Sequence, residues 1–285
     1  MIFGILGLGS IGSRHATTLT SLGADVIGFD PSDQSRQQTE SAGIKTTPSR
    51  EEIFEQSDAV VIASPSGFHF QDMKDAIAAN CHLFVEKPLA HTIDGVKEML
   101  DDAAAKGLKV FAGLNLRFDP AVIAAKSLLE EGAFGQLLWA MFQSSHYLPN
   151  WRPNQDCAQG YAADPVTGGV LFDIIHEFDL ANHLLGPAET IAAAARNTGM
   201  IDIPSEDCAD VILRHASGVH SSLHLDYVTR PTRRGAEIGG DKGILSLDLV
   251  AREITLTASG AWRKRPRPTT RTPAIWREGF TMNLA

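Results

Sequence analysis

MIFGILGLGSIGSRH, residues 1–15, decides how this chain of 285 residues is read. Ile2 to Leu6 is a short apolar run, the pattern of a strand buried on both faces. Gly7-Leu8-Gly9-Ser10-Ile11-Gly12 follows at once, and residues 14–22 have helical composition up to a stop at Gly23. Residues 24–29 make a second apolar run that ends on Asp30, eighteen residues beyond Gly12. Strand, glycine turn, helix, strand and acid in that order form the dinucleotide fingerprint. The glycines let the backbone turn tightly and approach a pyrophosphate, which sits on the helix N-terminus. Gly7, Gly9, Ser10, Ile11 and Gly12 are therefore the expected cofactor contacts. A carboxylate at Asp30 binds adenosine ribose hydroxyls and repels a 2′-phosphate, so NAD is expected over NADP. Ser32 and Arg36 stand near enough to soften that preference.

Working outward, strand and helix keep alternating. Residues 58–63 read as a strand, Ser64-Pro65-Ser66-Gly67 as a loop and 70–79 as a helix. A strand then ends at Glu86, a helix runs over 94–106 with Asp94 as N-cap and Gly107 as C′ residue, and 109–114 is a strand. This spacing predicts a parallel, doubly wound sheet. The loops at its carboxyl edge carry Gly7–Gly12, Asp30, Ser64 and Pro65, Lys87 and Asn115. In Glu86-Lys87-Pro88 the lysine ammonium stands where an α/β fold keeps its ligand crevice. Glu86 is expected to position it, and Pro88 to hold the turn through a cis peptide. His69 is expected at a helix start near the cofactor.

After Arg117 the pattern changes. Residues 120–131 form an amphipathic helix, and 136–147 alternate like a strand with one exposed face. Further strands are expected over 190–196, 207–215, 219–228, 234–239, 244–248 and 253–257, with Ser217-Gly218 as a hairpin turn. Strands without helices between them imply an antiparallel sheet. The fold class is thus α/β plus α+β: a Rossmann domain over 1–117 and an open-faced, mainly antiparallel domain over 118–285. A face of that second sheet is the expected contact for a homodimer or homotetramer. The basic, proline-rich stretch 263–273 reads as a solvated surface loop.

Bulk properties exclude several classes. A net charge of −9 argues against a nucleic-acid or anionic-membrane binder. No run approaches the roughly 20 apolar residues of a membrane-spanning helix, and no signal peptide is visible. The three cysteines Cys81, Cys157 and Cys208 form neither a disulfide framework nor a metal-ligand spacing, which fits a reducing cytoplasm.

Residues 170–185 read as one helix, opened by Gly168-Gly169 and stopped by Gly186-Pro187. Asp173 and His176 share a face at that spacing, and His176, Asp179 and His183 lie along one stripe. A carboxylate beside an imidazole suits general acid/base work; it equally suits a structural pair bracing helix on sheet. His176 and His183 are two turns apart, too far to converge easily on one metal, so no metal is expected.

GLGSIGSRH (7–15), ASPSGFH (63–69), VEKPLA (85–90), GLNLRFDP (113–120) and GGVLFDIIHEFD (168–179) stand in the same order as in one family. The chain resembles the glucose-fructose oxidoreductase/inositol dehydrogenase/rhizopine-catabolism (Gfo/Idh/MocA) family along nearly its whole length. The resemblance implies an NAD(P)-dependent oxidoreductase in which Lys87, Asp173 and His176 surround the substrate carbon facing the nicotinamide. His176 would remove a hydroxyl proton, helped by Asp173 or Asp179, and Lys87 would stabilise charge on the oxygen. Asn115 and Arg117 would position nicotinamide or substrate. HYLPNWRPNQD (146–156) resembles a branch associated with surface-polysaccharide and nonulosonic-acid genes. Sugars and their derivatives are therefore the expected substrates, with Tyr147, Trp151, Arg152 and Asp156 as contacts; each of these four also reads as a packing or loop residue. Asp173 and His176 are one residue closer together than in many members. Family chains also continue into a final helix, expected to be missing here. The alternatives are an NAD-retaining epimerase or lyase, a non-catalytic dinucleotide-binding regulator, and a reductase of imine or linear-tetrapyrrole-like carbonyl compounds.

Overall fold

Short apolar runs flanked by glycine and polar turns build the first unit, Met1–Gly113. The structure, a computed structural model, describes residues 1–151, 156–258 and 261–264. Strands β1 (Ile2–Leu6), β2 (Asp25–Phe29), β3 (Lys45–Thr47), β4 (Ala59–Ile62), β5 (His82–Val85) and β6 (Val110–Ala112) pair in parallel. Their order is β3-β2-β1-β4-β5-β6, so the winding reverses between β1 and β4. Such a switch point is where α/β sheets open a ligand crevice. Between the strands run α1 (Ser10–Ser21), α2 (Asp33–Ser41), α3 (Arg50–Gln56), α4 (His69–Ala78) and α5 (Val96–Ala105).

Alternate strand residues feed two cores, one on each face. Phe3, Ile5, Val61 and Phe84 join Ala16 and Leu19 of α1. Leu6, Val60, Ile62, Leu83 and Val85 join Ile53, Met73, Ile77 and Met99 from α3, α4 and α5. Two local readings are corrected. Helix α1 begins at Ser10, because the last residues of the glycine turn are already its first turn. Helix α5 is preceded by Gly95 in a left-handed conformation, φ 72°, so Asp94 does not cap it; Gly107, φ 70°, does occupy the C′ position.

The second unit begins at Leu114, so Asn115 and Arg117 belong to it. Helix α6 (Pro120–Glu130) is capped by Asp119, whose carboxylate accepts from the Ala121 N–H at 2.8 Å. Strand β7 (Leu137–Ser145) follows, then α7 (Gly169–Asp173), α8 (His176–Leu185), β8 (Ala188–Arg196), β9 (Cys208–His215) and β10 (His220–Asp226). Strands β11 (Arg233–Gly240), β12 (Gly243–Asp248), β13 (Glu253–Ala258) and β14 (Ala261–Lys264) complete an eight-stranded sheet ordered β14-β13-β12-β11-β7-β10-β9-β8. One pairing departs from the antiparallel expectation: β7 and β10 run parallel. The long connection between them, with two helices, supplies the crossover that parallel strands need.

Inward residues such as Phe142, Val211, Leu223, Ile238 and Leu245 pack on Val122, Leu128, Leu180 and Leu184 of α6 and α8. The other face is open, with Trp139, Met141 and Ile212 exposed. Arg263 and Lys264 of the basic stretch end β14; residues 265–273 lie outside the described residues, as do Arg152 and the C-terminal residues 265–285. Among the described residues no helix is long and apolar enough to cross a membrane.

Candidate active site

The strand register of the first unit brings the cofactor residues to one edge. Leu6, Phe29, Ile62, Val85 and Ala112 stand level across β1, β2, β4, β5 and β6. Gly7, Asp30, Ala63, Glu86 and Gly113 therefore begin the loops together. Gly7 has φ 88°, and a Cβ there would meet the Ala63 carbonyl at 2.6 Å. A Cβ on Gly12 would stand 1.7 Å from the Gly7 carbonyl oxygen, whereas one on Gly9 meets nothing within 4 Å. Gly9 caps α1 without a side-chain hydrogen bond, leaving open space before the helix N-terminus. The backbone N–H groups of Ser10, Ile11 and Gly12 there have no intrahelical acceptor. That is the donor set a pyrophosphate requires, and the site fits a dinucleotide.

Asp30 is held before any ligand arrives. One carboxylate oxygen accepts from the Leu8 N–H at 2.8 Å and the other from the Ser32 N–H at 2.9 Å. Arg36 donates to the Asp30 carbonyl at 2.6 Å and pairs with Asp33, so its charge is already engaged. Replacing Asp30 with alanine is expected to weaken NAD binding about tenfold or more and narrow the preference over NADP, the scale of a charged hydrogen bond. Titration with both dinucleotides checks this; unchanged affinities would remove Asp30 from the site.

Lys87 leaves the end of β5, and the Lys87–Pro88 peptide is cis. Glu86 is buried: one oxygen lies 2.7 Å from His15 Nε2, and the other accepts from the Lys87 N–H at 3.3 Å. His15 comes from α1 and packs edge-on against Phe84, so Glu86 ties the glycine-turn helix to the lysine turn. His69 braces the next pair of loops, with Nδ1 2.7 Å from the Pro88 carbonyl and Nε2 2.9 Å from the Ser64 carbonyl. His69 thus stands between two backbone carbonyls, one from each loop. Ser64 donates its hydroxyl to Asp72 at 2.6 Å, leaving its backbone and Pro65 to shape that loop.

In the second unit the double glycine is a packing requirement. A Cβ on Gly168 would meet the Tyr161 carbonyl at 2.4 Å, and one on Gly169, φ 80°, would meet the Glu206 carboxylate at 2.1 Å. Glu206 instead covers the start of α7, accepting from Val170 and Leu171 N–H through its carbonyl and carboxylate. The expected single helix is corrected to two. Asp173 is the last residue of α7 and His176 the first of α8, separated by Ile174 and Ile175. Two adjacent β-branched residues are weak helix formers, and Ile174 turns into the core beside Tyr227.

Asp173 is 3% exposed, and its two oxygens accept from the hydroxyls of Tyr161 at 2.5 Å and Tyr227 at 2.9 Å. Burial, with the Asp173 charge beside it, pushes the Tyr227 hydroxyl far above the phenol range, so it remains a donor. Neither tyrosine was visible as a site residue in the sequence. Tyr227→Phe leaves a buried carboxylate short of one donor and is expected to cost about 1–3 kcal/mol. A lower urea midpoint checks this; an unchanged midpoint would mean that the bond contributes nothing.

Asp179 accepts from Arg117 through both oxygens, at 2.9 and 3.1 Å from Nε, and this pairing raises the guanidinium pKa. Arg117 and Asp179 thus lock the segment after β6 to α8. Burial lowers the pKa of His183. Tyr147 lies under the Arg230 guanidinium, 3.3 Å from the ring centroid, and Trp151 packs on His146 at 4.4 Å. Asp156 accepts from the Ala158 N–H at 3.0 Å and caps a short turn. Arg152 lies outside the described residues.

Residues 1–114 match the family described as oxidoreductase family, NAD-binding Rossmann fold. Residues 122–246 match the GFO/IDH/MocA C-terminal domain. An inositol 2-dehydrogenase of Acidothermus cellulolyticus is 30% identical over 258 residues, covering 86% of this chain and 72% of that one. A 1,5-anhydro-D-fructose reductase of Ensifer adhaerens is 28% identical over 256 residues, 85% of this chain and 74% of the other. The WlbA dehydrogenase of Bordetella pertussis, solved with NADH and UDP-GlcNAcA, has the same fold. Its TM-score is 0.81 at 24% identity, over 94% of this chain and 78% of that one.

Proposed function

The chain belongs to the GFO/IDH/MocA oxidoreductases, with an NAD-binding Rossmann domain, and from that premise we propose that it oxidises a secondary alcohol of a sugar, cyclitol or sugar derivative, reversibly. The observation that carries the reading is the crevice edge of the first unit, where an open helix N-terminus, a pre-held Asp30 and the Lys87 turn share one strand register. The relatives' names, inositol 2-dehydrogenase and 1,5-anhydro-D-fructose reductase, support a polyol or sugar as the substrate class.

Bound NAD supplies nicotinamide C4 as the hydride acceptor. Gly7, Gly9, Ser10, Ile11 and Gly12 hold the pyrophosphate, Asp30 holds the adenosine ribose, and Ser64, Pro65 and Asn115 line the remainder. His176 takes the hydroxyl proton as the carbon loses its hydride, giving ketone, NADH and one proton. Lys87 offers a cation to the charge that grows on the substrate oxygen. Asp173, fixed by two tyrosines, supports the imidazolium formed at His176. Arg117, Tyr147, Trp151, Arg152 and Asp156 are the proposed substrate contacts. Trp139, Met141 and Ile212 on the open sheet face support a homodimer or homotetramer formed through it.

A panel of sugars, cyclitols and nucleotide-sugars, offered with NAD⁺ and NADP⁺ separately, tests the proposal. Reduced nicotinamide should appear with NAD⁺ and at least one polyol. Silence across the panel, with NAD bound, would sink it.

A further inference from the structure

Four ligand-type side chains meet on the open face of the eight-stranded sheet, on strands β9 and β10. Antiparallel pairing sets Asp210 opposite His224 and Cys208 opposite Asp226. Ligand atoms of Cys208, Asp210 and His224 all lie within 4.8 Å of one another. His224 Nδ1 is 2.7 Å from Asp210 Oδ1, and its Nε2 is 3.1 Å from Asp226 Oδ2. Asp226 is 1% exposed and accepts from the N–H groups of Val228 and Thr229 and from the Thr229 hydroxyl.

Asp226, already ringed by donors, stands 3.1 Å from Nε2 and can accept a hydrogen from it. Nδ1 faces the Asp210 carboxylate, and the ligand atoms of His224, Asp210 and Cys208 lie close enough together to share one cation. A histidine that ligates through one nitrogen while giving the other N–H to a buried carboxylate is the usual second-shell arrangement of a metal site. Cys208 adds a sulfur ligand, which a histidine bridging two carboxylates would not need. Sulfur, imidazole nitrogen and one carboxylate select a zinc-class ion.

We propose that Cys208, Asp210 and His224 bind one zinc-class divalent cation, with Asp226 orienting His224 and water in the fourth position. Ligand distances of about 2.0–2.3 Å require the Asp210 and His224 atoms to part slightly, which the exposed Asp210 side chain allows. The spacing along the chain hides the cluster, because β-pairing alone brings position 224 beside 208 and 210.

Metal-free protein titrated with Co²⁺ is the test. One equivalent should bind with a thiolate-to-cobalt charge-transfer band, and one equivalent of Zn²⁺ should displace it. Cys208→Ser should lose the band while keeping the native near-ultraviolet circular dichroism. Asp226→Asn should weaken zinc binding about 10–100-fold. No stoichiometric binding by the unaltered protein, or a cobalt spectrum that Cys208→Ser leaves unchanged, would overturn the proposal. Both readouts are independent of the proposed oxidoreductase reaction.

Discussion

Lys87→Ala is expected to lower kcat for nicotinamide reduction by about 10²–10⁴-fold while NAD still binds, and His176→Ala to do the same. Lys87 sits in a turn that neighbouring elements hold. Its N–H is held by Glu86, Glu86 is held by His15 from α1, and the next peptide is cis. Those contacts involve the backbone and Glu86, so the alanine variant keeps the turn and the dinucleotide site. His176 opens α8, three residues after Asp173, a carboxylate that two tyrosines keep in place. Because the two groups act on one step, the double variant should lose less than the product of the single losses. Initial rates paired with NAD titrations check both claims. A variant with full turnover would remove that residue from the mechanism; lost NAD binding would make it a structural residue instead.

Gly12→Val and Gly9→Ala should separate folding from cofactor binding. At position 12 a Cβ would fall 1.7 Å from a backbone oxygen, which cannot rotate away as a side chain would. The turn must then open, at an expected cost of about 3 kcal/mol in the first unit together with the loss of NAD binding. At position 9 no protein atom lies within 4 Å of the added carbon, and φ −67° is open to alanine. Gly9→Ala should therefore fold normally yet bind NAD about tenfold more weakly or worse, since the space it fills is the pyrophosphate's. Unfolding curves and NAD titrations on the two variants provide the check. Full NAD affinity in Gly9→Ala would mean that the phosphates lie elsewhere.

The legible parts of the fold are those written by local chemistry. The run Ile2–Leu6 and the glycine turn are consecutive, and Asp30 follows after one helix and one strand, so each is placed by local backbone geometry. Strands β7 and β9 to β12 were legible because one face is buried and the alternation shows it. Strand order was not: period-two patterning says nothing about partners, so the parallel pairing of β7 with β10 had no sequence signal. The break between α7 and α8 was hidden because the helical period of apolar residues runs on through Ile174 and Ile175. The short, polar α2 and α3 and the three-residue β3 went unread for lack of an apolar pattern.

The candidate site divides in the same way. Lys87, Asp173 and His176 were singled out in the sequence by motif, spacing and the family resemblance, but the contacts around them were not legible. His15 reaches Glu86 across 71 residues, and Tyr227 reaches Asp173 across 54. Asp179, equally plausible in sequence as the partner of His176, is committed to Arg117. Such choices are made by tertiary contacts that no local pattern encodes.

The central claim, hydride transfer from a secondary alcohol carbon to NAD, is tested most directly by isotope. A substrate found in the panel is supplied with deuterium on the carbon that bears the reacting hydroxyl. The account predicts one deuterium in the NADH formed, at nicotinamide C4, and no labelled NADH from Lys87→Ala or His176→Ala on the same timescale. NADH without the label, or substrate consumed with no reduced cofactor, would contradict it.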